Sequence, residues 1–376
     1  MKKIVYIIST LKRTGPTNIL AGIALNLDKS RFKPVIVTLS PEEDGFNSWK
    51  PELETAGIEI YSLNLSRLKG IFTGGRALKR IINAIKPDII HTHCFRSTVF
   101  AALYSRRNKR IATIHCDYET DFSLAYGEIK GFVMSKVFSW ALGVADKRVC
   151  CSKMLADLLA RKHPNTEYMY VDNGVDTQKF SPTQDKSALR RMLNLPEYKK
   201  IFIWAGAFIP RKDPATLAQA VLNLKEETAF FIFCGEGPLL EQTKNTLKGR
   251  KNVLFTGQIP NIQDYFKAAD FYVSTSLSEG LPCTVLEALS CDLPILLTDI
   301  PQHQYIFVSQ LGSLFPCRNE KELCQVLQKQ NQKTNSTKFQ QGHLYVKAKF
   351  STFVMTQKYQ NIYIKLSDYI KERIYE

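Results

Sequence analysis

Short apolar segments alternate with amphipathic segments along most of the chain, and this pattern restricts the fold more than any other feature. Ile4–Ile8 exemplifies the first kind, because such a brief apolar run predicts a buried strand. Arg76–Ile85 exemplifies the second, because its leucine and isoleucines share one face of a helix while its basic residues face elsewhere. Strands that alternate with helices in this way predict a doubly wound α/β fold built on parallel sheets.

The alternation is interrupted by a segment rich in polar residues and prolines at 172–196. The chain has 376 residues, enough for two or three domains at roughly 150 residues each. We therefore predict two Rossmann-like domains that face a cleft, at 1–180 and 181–353, followed by a C-terminal helix over 354–376. Ligands of such folds bind at the carboxyl ends of the strands, which places the expected site at the cleft.

Three other segments bear on the class of protein. Residues 118–131 mix aromatic and acidic side chains without a clear period, and we predict a long loop there. The best candidate for a membrane span, 129–145, contains Lys130 and Lys136, so no transmembrane helix is predicted. The N-terminal apolar run is too short for a secretory signal, and the nine cysteines form no Cys-x-x-Cys pair. Together these features are typical of a cytosolic protein with reduced thiols.

Charge is the unusual part of the composition. The 51 lysines and arginines outnumber the 35 acidic residues, which gives a formal net charge of +16. A surplus of this size suggests a polyanionic partner, such as a nucleic acid, an anionic membrane or a phosphate-bearing small molecule. The surplus is spread over both halves and is larger in the first, so it does not form a single basic tail.

The first strand-to-helix turn, residues 9–17, contains a single glycine, Gly15. The dinucleotide fingerprint Gly-x-Gly-x-x-Gly is therefore missing there, and no P-loop occurs in the sequence. The main sequence evidence for a dehydrogenase or a P-loop NTPase is thus missing. Gly15 still lets the backbone approach an anionic ligand where Pro16 begins a helix. An ordinary turn explains these two residues equally well.

Two cations follow the strand predicted at 201–204. Arg211 and Lys212 stand after a turn at Gly206 and directly before a helix predicted at 214–224. Adjacent cations at the end of a strand can neutralise a phosphate group. A solvated Arg-Lys pair is the alternative interpretation.

Two glutamates, Glu279 and Glu287, stand with seven residues between them. Between them, Pro282 can begin a helix whose first N–H groups bind a diphosphate. The two carboxylates can accept hydrogen bonds from sugar hydroxyls on either side of that anion. An acidic first helical turn, stabilised by the helix dipole, explains either glutamate alone but not the pair.

This constellation resembles the E-x7-E motif of the retaining, nucleotide-sugar-dependent glycosyltransferases of the GT-B fold, family 4 or group 1. The resemblance covers nearly the whole chain, and no single segment carries it. The other segments that follow the usual course of that family are 86–93, 113–115, 172–180, 233–238, 253–257 and 268–276.

The resemblance implies a role for each matching residue. Arg211 and Lys212 would neutralise the donor diphosphate, and Glu279 would contact the hydroxyls of the transferred sugar. Glu287 would bind the ribose. His115 would lie near the reacting sugar, with its part in catalysis or in donor positioning left open. The residues expected to present backbone or surface to the phosphate, sugar or base are Gly15, Gly235, Ile259, Gly280, Leu281, Cys283 and Thr284.

The resemblance also implies a C-terminal helix that packs back on the N-terminal domain. It implies no bound metal and no cofactor other than the donor co-substrate, for which a UDP-sugar is favoured. The chain departs from the family at Ala207, where arginine is common, and at Tyr305, where an acidic residue is frequent. It also lacks the usual glycine before Pro294. These departures leave the fine geometry of donor binding open.

Three segments, 67–72, 76–80 and 106–110, intersperse basic and apolar residues, and this pattern bears on the identity of the sugar acceptor. Such a surface resembles a peripheral membrane face, although a solvated basic surface is the alternative. Together with the family resemblance it implies a polyprenyl-diphosphate-linked acceptor in O-antigen or capsule synthesis, on the cytosolic leaflet, and no nucleic-acid partner. A GT-B sugar-nucleotide epimerase and a non-catalytic GT-B partner subunit remain as alternative functions.

Overall fold

The computed structural model describes residues 1–42, 47–65, 69–105, 108–227, 229–332 and 341–374. Their contacts divide the chain into two compact units. The first unit comprises Met1–Gly174 and Thr352–Glu376, and the second comprises Val175–Ser351. The domain boundaries predicted from the sequence lie at 180/181 and 353/354.

The first unit is built on a seven-stranded parallel sheet in the order β3-β2-β1-β4-β5-β6-β7. Its strands are β1 (Lys2–Ile8), β2 (Phe32–Thr38), β3 (Glu59–Ser62), β4 (Ile89–His93), β5 (Lys109–Ile114), β6 (Lys147–Cys150) and β7 (Met169–Tyr170). The helices between them are α1 (Gly15–Asn26), α2 (Lys50–Thr55), α3 (Lys69–Ile85), α4 (Phe95–Tyr104), α5 (Tyr118–Tyr126), α6 (Glu128–Gly143) and α7 (Lys153–Lys162).

The second unit is built on a six-stranded parallel sheet in the order β10-β9-β8-β11-β12-β13. Its strands are β8 (Ile201–Ala205), β9 (Phe230–Cys234), β10 (Val253–Gly257), β11 (Phe271–Ser274), β12 (Ile295–Thr298) and β13 (Gly312–Phe315). Its helices are α8 (Lys186–Met192), α9 (Pro214–Leu222), α10 (Leu240–Thr246), α11 (Ile262–Ala268), α12 (Cys283–Ser290), α13 (Pro301–Ile306), α14 (Glu320–Gln332) and α15 (Gly342–Lys349). Two short 3₁₀ turns lie at Pro210–Lys212 and Ser309–Leu311.

The cores explain why the short apolar runs become strands. Strands at the centre of a parallel sheet are covered on both faces, so they read as continuous apolar segments. Ile4–Ile8 in β1 is at most 2% exposed at any residue, and all of β8 is buried. The doubly wound α/β fold with two Rossmann-like sheets is thereby confirmed.

The last helix, α16 (Thr352–Ile374), belongs to the first unit. It packs on α1 at Gly22, where a Cβ atom would come within 3.1 Å of the Thr352 side chain. The hydroxyls of Tyr363 and Tyr6 lie 3.1 Å apart in the core of the unit. The expected return of the C-terminal helix to the N-terminal domain is therefore confirmed.

The long loop predicted at 118–131 is wrong, because this segment forms α5 and the start of α6. Aromatic packing holds the two helices together: the rings of Tyr118 and Phe138 meet edge to face at 5.0 Å. Gly127, with φ +82°, allows the sharp break between the helices. Among the described residues, no helix is both long and apolar enough to cross a membrane.

Candidate functional site

The candidate site in the second unit forms where the loops after β8 and β11 meet. These strands are neighbours in the sheet, so their carboxyl ends open at the same edge. The backbone N–H of Leu277 donates to the Arg211 carbonyl at 2.8 Å, and the Thr275 hydroxyl donates to the Lys212 carbonyl at 3.0 Å. The indole N–H of Trp204 in turn donates to that hydroxyl at 3.2 Å. The buried core therefore fixes the loop that carries both cations.

Glu279 pairs with both predicted cations. Arg211 Nη1 lies 3.0 Å from Oε2 of this carboxylate, and Lys212 Nζ donates to Oε1. Arg211 also donates to the Ser278 carbonyl at 2.7 Å. The Glu279 side chain is 6% exposed, whereas those of Lys212 and Arg211 are 15% and 26% exposed. The two cations are therefore more exposed than the carboxylate that joins them, although all three side chains are largely buried.

The charges in this cluster set the ionisation of Glu279. Burial alone would raise the pKa of its carboxyl, but Lys212 and Arg211 outweigh burial and lower that pKa to about 2. Glu279 is accordingly ionised throughout the neutral range. Two cations and one carboxylate leave a net positive charge, which suits the binding of an anion.

Glu287 lies in α12, and the environment of its carboxyl differs from that of Glu279. Burial raises the pKa of its carboxyl to about 8, and Lys179 and Lys212 offset only part of this effect. The two glutamates of the motif therefore differ in charge near neutral pH, one ionised and the other largely protonated. Such separated pKa values are typical of functional sites.

The start of α12 lies beside the same strands. Pro282 precedes its first residue, and the Tyr272 hydroxyl donates to Thr284 Oγ1 at 2.9 Å. Gly280 and Leu281 are buried in the turn before the helix, and Cys283 is partly exposed. The predicted residues of this segment thus lie together at the carboxyl end of β11.

Gly235 and Ile259 follow β9 and β10, the next strands along the sheet. Gly235 has φ +132°, and a Cβ atom there would lie 2.0 Å from the Gly206 carbonyl oxygen. This close approach of two turns therefore requires glycine. Ile259 is partly exposed in the loop after β10. Both predicted positions lie at the same edge of the sheet as the cluster of Arg211, Lys212 and Glu279.

His303 is a neighbour of the site that sequence reasoning missed. Its ring is buried, with Nδ1 2.8 Å from the Thr298 carbonyl oxygen and Nε2 3.4 Å from the Ser274 hydroxyl. Burial lowers its pKa to about 4, although the nearby Glu279 carboxylate acts in the opposite direction. A neutral His303 therefore lies near enough to the Glu279 carboxylate to feel its charge. No local motif surrounds it that could have singled it out.

The first unit contains a second group of predicted residues. Gly15 is the first residue of α1, and no atom lies within 4 Å of the position that a Cβ would occupy. The turn before it is fixed by Thr14, whose N–H donates to Thr17 Oγ1 at 2.8 Å. The backbone at Gly15 is therefore held in place and open on one side.

His115 follows β5, and its Nε2 lies 3.0 Å from His93 Nδ1 at the end of β4. The two rings stack with centroids 5.2 Å apart. His91 lies beside them, with Nδ1 2.8 Å from the Tyr363 hydroxyl and Nε2 2.7 Å from the Thr113 hydroxyl. The predicted histidine therefore pairs with His93, whose ring lies 4.5 Å from that of His91, and His91 in turn is hydrogen-bonded to α16.

Burial keeps these histidines neutral. Desolvation lowers the pKa of His91 to about 3 and that of His115 to about 4, and it holds the pKa of His93 well below the usual value. A neutral pair needs one hydrogen between them, so one imidazole donates and the other accepts. Among the described residues, no group of His, Cys, Asp and Glu side chains could hold a metal ion.

The neutral histidines predict a loss of stability in acid. The unfolded chain protonates histidine near pH 6.5, whereas His91 and His115 in the folded chain stay neutral until about pH 3 and pH 4. Between these limits the unfolded state binds more protons, so the free energy of unfolding falls by about 1.4 kcal/mol per pH unit for each histidine. We expect the urea midpoint to fall steadily as the pH is lowered from about 6 to about 4.

The His91→Gln variant provides the control for this prediction. It should show a shallower pH dependence of the urea midpoint than the natural chain, because one of the histidines has been removed. Equal midpoints for the natural chain at about pH 7 and about pH 5 would contradict the neutral network.

Comparison with family models gives two matches that together cover most of the chain. The model described as "Glycosyltransferase Family 4" matches residues 14–179, and "Glycosyl transferases group 1" matches residues 185–336. The first match covers most of the first structural unit and ends five residues beyond Gly174, and the second match lies within the second unit.

Similar proteins of known name include two from Escherichia coli. UDP-Gal:alpha-D-GlcNAc-diphosphoundecaprenol alpha-1,3-galactosyltransferase is 26% identical over 246 residues, 60% of this chain and 61% of that protein. The alignment therefore spans less than two thirds of that relative. The O-antigen biosynthesis glycosyltransferase WclY is 25% identical over 373 residues, 97% of this chain and 98% of that protein.

Solved structures share the fold. Sucrose-phosphate synthase from Thermosynechococcus elongatus has a TM-score of 0.82 at 18% identity, over 97% of this chain and 99% of that one. The Anabaena protein HepE, in complex with UDP and glucose, has a TM-score of 0.81 at 16% identity, over 96% of this chain and 99% of that one.

Proposed function

Because the chain belongs to the family 4, group 1 glycosyltransferases of the GT-B fold, we propose that it transfers a hexose or N-acetylhexosamine from a nucleoside diphosphate sugar. The proposed acceptor is a hydroxyl of a polyprenyl-diphosphate-linked glycan, in the synthesis of O-antigen or capsule. The names of the relatives support this choice, since one acts on a diphosphoundecaprenol-linked sugar and another serves O-antigen biosynthesis.

The cluster of Arg211, Lys212 and Glu279 carries the proposal. Its two cations are held at the edge of the sheet by the fixed loop after β8, and their side chains are more exposed than that of Glu279. A donor diphosphate bound there would meet positive charge that is already in place, so little reorganisation is needed as negative charge develops on the leaving group. Arg211, Lys212 and the amino end of α12 would supply the charge that a divalent cation supplies in other enzymes.

The proposed reaction retains the configuration at the anomeric carbon. The bond from that carbon to the diphosphate oxygen breaks, and a bond to the acceptor oxygen forms on the same face of the sugar. The departing phosphate oxygen takes the proton of the acceptor hydroxyl. Glu279, ionised at neutral pH, would accept hydrogen bonds from the hydroxyls of the transferred sugar. His115 would contribute a neutral imidazole toward the donor.

The raised pKa of Glu287 predicts that nucleotide binding depends on pH. If Glu287 accepts hydrogen bonds from the ribose, binding favours its carboxylate and releases a proton from a group whose pKa is about 8. We expect the affinity for UDP to rise between about pH 7 and pH 8, by at most about tenfold. Calorimetric titrations in two buffers of different ionisation enthalpy would measure the released proton.

The Glu287→Gln variant is the control, since it cannot release this proton. It should bind UDP with an affinity that does not change between about pH 7 and pH 8. A natural chain that binds UDP without buffer-dependent heat would contradict the assignment of Glu287 to the ribose.

We further propose that the enzyme works at the inner face of the cell membrane, through the basic surface of its first unit. Arg76, Lys79 and Arg80 on α3 are exposed. Lys109 is partly neutralised, because its Nζ lies 3.3 Å from Asp146 Oδ1. Residues 66–68 and 106–107, and the side chains of 69–72, lie outside the described part of the chain.

A panel of UDP-, GDP- and ADP-sugars in a thermal-shift assay tests the donor class. A bound ligand raises the unfolding midpoint, and we expect UDP-sugars to raise it by several degrees and the others by less. The matched pair of variants is Lys212→Ala, which should lose most of the shift, and Lys244→Ala, which alters an exposed pair with Glu241 and should keep it. A panel in which no nucleotide sugar shifts the midpoint would contradict the proposal.

A further inference from the structure

The outward face of α6 is apolar and uncovered. Ile129 is 85% exposed, Phe132 60% and Val133 55%, and Trp140 further along the helix is 44% exposed. These residues recur at intervals that bring them to one side of a helix, so they form a continuous stripe. Contiguous exposed apolar surface of this kind marks an interaction site more often than a random surface does.

The opposite face of α6 is packed against the first unit, so the stripe cannot turn inward. Phe138 and Leu142 are buried there. Gly131 lies so close to α5 that a Cβ atom would come within 2.6 Å of the Ser123 backbone. A helix that is apolar on every side is typical of a protein interior or a membrane, yet α6 lies at the surface.

The patch continues onto α5. Leu124 is 71% exposed and Tyr126 is 50% exposed in the last turn of that helix. The α6 stripe and these two residues together form a single surface, the α5–α6 face.

Lysines are placed within and beside this face. Lys136 lies inside the stripe, with Nζ 5.1 Å from the ring centroid of Phe132, and Lys130 lies at its edge, 5.3 Å from the Tyr126 ring. Glu128, the first residue of α6, is exposed beside the face, and no acidic residue occurs between Ile129 and Ala145. Lysine stems can lie along apolar surface while their ammonium groups reach anionic headgroups.

Further positive charge lies in the same helical layer. α4 packs against both α3 and α6, so the exposed Arg76, Lys79 and Arg80 of α3 belong to the layer that carries the α5–α6 face. Basic residues around an apolar stripe complement a surface that is apolar inside and anionic at its headgroups.

We propose that the α5–α6 face binds an anionic lipid bilayer by inserting its apolar side chains into the headgroup region, with α6 parallel to the surface. Lys130 and Lys136 contact the lipid phosphates at that depth. This proposal specifies which surface makes the membrane contact of the proposed function, and its biological role rests on that function. Vesicle binding needs neither donor nor acceptor, so it can fail or succeed independently of sugar transfer.

Co-sedimentation with vesicles tests the proposal. We expect the chain to bind vesicles of equimolar phosphatidylcholine and phosphatidylglycerol, and to bind phosphatidylcholine alone more weakly. The double variant Ile129→Ser with Phe132→Ser should bind the anionic vesicles at least about tenfold more weakly. The matched control, Leu344→Ser with Phe353→Ser, removes residues that are 64% and 61% exposed elsewhere and should bind like the natural chain.

Tryptophan emission gives a second readout. Trp140 should shift to shorter wavelength when anionic vesicles are added, and the Trp140→Phe variant should lose most of that shift while it still sediments with them. The thermal midpoint of each variant, and its shift with UDP-sugar, separates a folding defect or a donor-site defect from a loss of membrane binding.

Three results would overturn the proposal. The first is a natural chain that does not bind the anionic vesicles or binds neutral ones equally well. The second is a serine double variant that binds as the natural chain does. The third is a natural chain that dimerises without lipid and whose serine double variant is monomeric, because the face then serves a second copy of the chain.

Discussion

Replacement of Glu279 by glutamine is expected to lower the rate of sugar transfer at least about 100-fold without weakening the binding of UDP. The carboxylate is buried and ionised, and it neutralises part of the charge of Arg211 and Lys212. Glutamine has the same shape but leaves both cations uncompensated, which favours a bound diphosphate. The same change removes the negatively charged acceptor proposed for the sugar hydroxyls. The transition state is therefore stabilised less, even though the bound diphosphate is stabilised more.

Initial rates of transfer and calorimetric titration with UDP measure the two effects separately. The matched control is Glu241→Gln, since Glu241 pairs with Lys244 at 2.8 Å on the surface of the same unit. That variant should transfer sugar at the natural rate, because exposed pairs contribute little. A Glu279→Gln protein that is folded and transfers at the natural rate would contradict the role assigned to the carboxylate.

Replacement of Lys212 by alanine is expected to lower both the transfer rate and the affinity for UDP. Lys212 contributes more than Arg211 to lowering the pKa of the Glu279 carboxyl, and its carbonyl is fixed by Thr275. Loss of one preorganised charge at a leaving group lowers kcat by about 100-fold to 1000-fold. Because Glu279 then has one cation instead of two, the net charge of the cluster falls and the diphosphate binds more weakly.

The two variants therefore move UDP affinity in opposite directions while both slow the transfer. Lys244→Ala is the matched control for the lysine change, since Lys244 is exposed and pairs with Glu241 one helical turn away. A Lys212→Ala protein with natural affinity for UDP would show that the diphosphate does not bind at this cluster.

The residues of this cluster were predictable from local sequence, whereas their pairing was not. A glycine turn followed by Arg211 and Lys212, and a glutamate before a Gly-Leu-Pro turn, are visible in the printed sequence. Arg211 and Glu279 are 68 positions apart, and they meet because β8 and β11 are neighbours in the sheet. Periodicity predicts that a strand forms but not its position in the sheet order.

The histidine pair shows the same limit. His93 and His115 are 22 positions apart and meet because β4 and β5 pair in parallel register. His115 was expected near the donor through the family resemblance, which stays a prediction. Its contact with His93 had no signal in the sequence, since a histidine in a buried strand is more often a satisfied core residue.

The error at 118–131 has a physical cause. Helices are recognised by an apolar stripe on one side, and this segment and its continuation carry aromatic and aliphatic residues on both sides. One side packs Tyr118 against Phe138, and the other side is the exposed α5–α6 face. Apolar side chains on both sides of α5 and α6 therefore explain why the helices were not predicted. The exposed part of these side chains is also the basis for the proposed membrane binding.

Product analysis of a single reaction tests the central claim most directly. The chain would be incubated with a UDP-sugar panel and a polyprenyl-diphosphate-linked sugar acceptor, and the product would be examined by NMR of the anomeric centre. We predict one new glycosidic bond with the anomeric configuration of the donor, and one UDP released for each bond formed. An epimerised nucleotide sugar formed without acceptor, an inverted linkage, or no glycoside from any donor would contradict the claim.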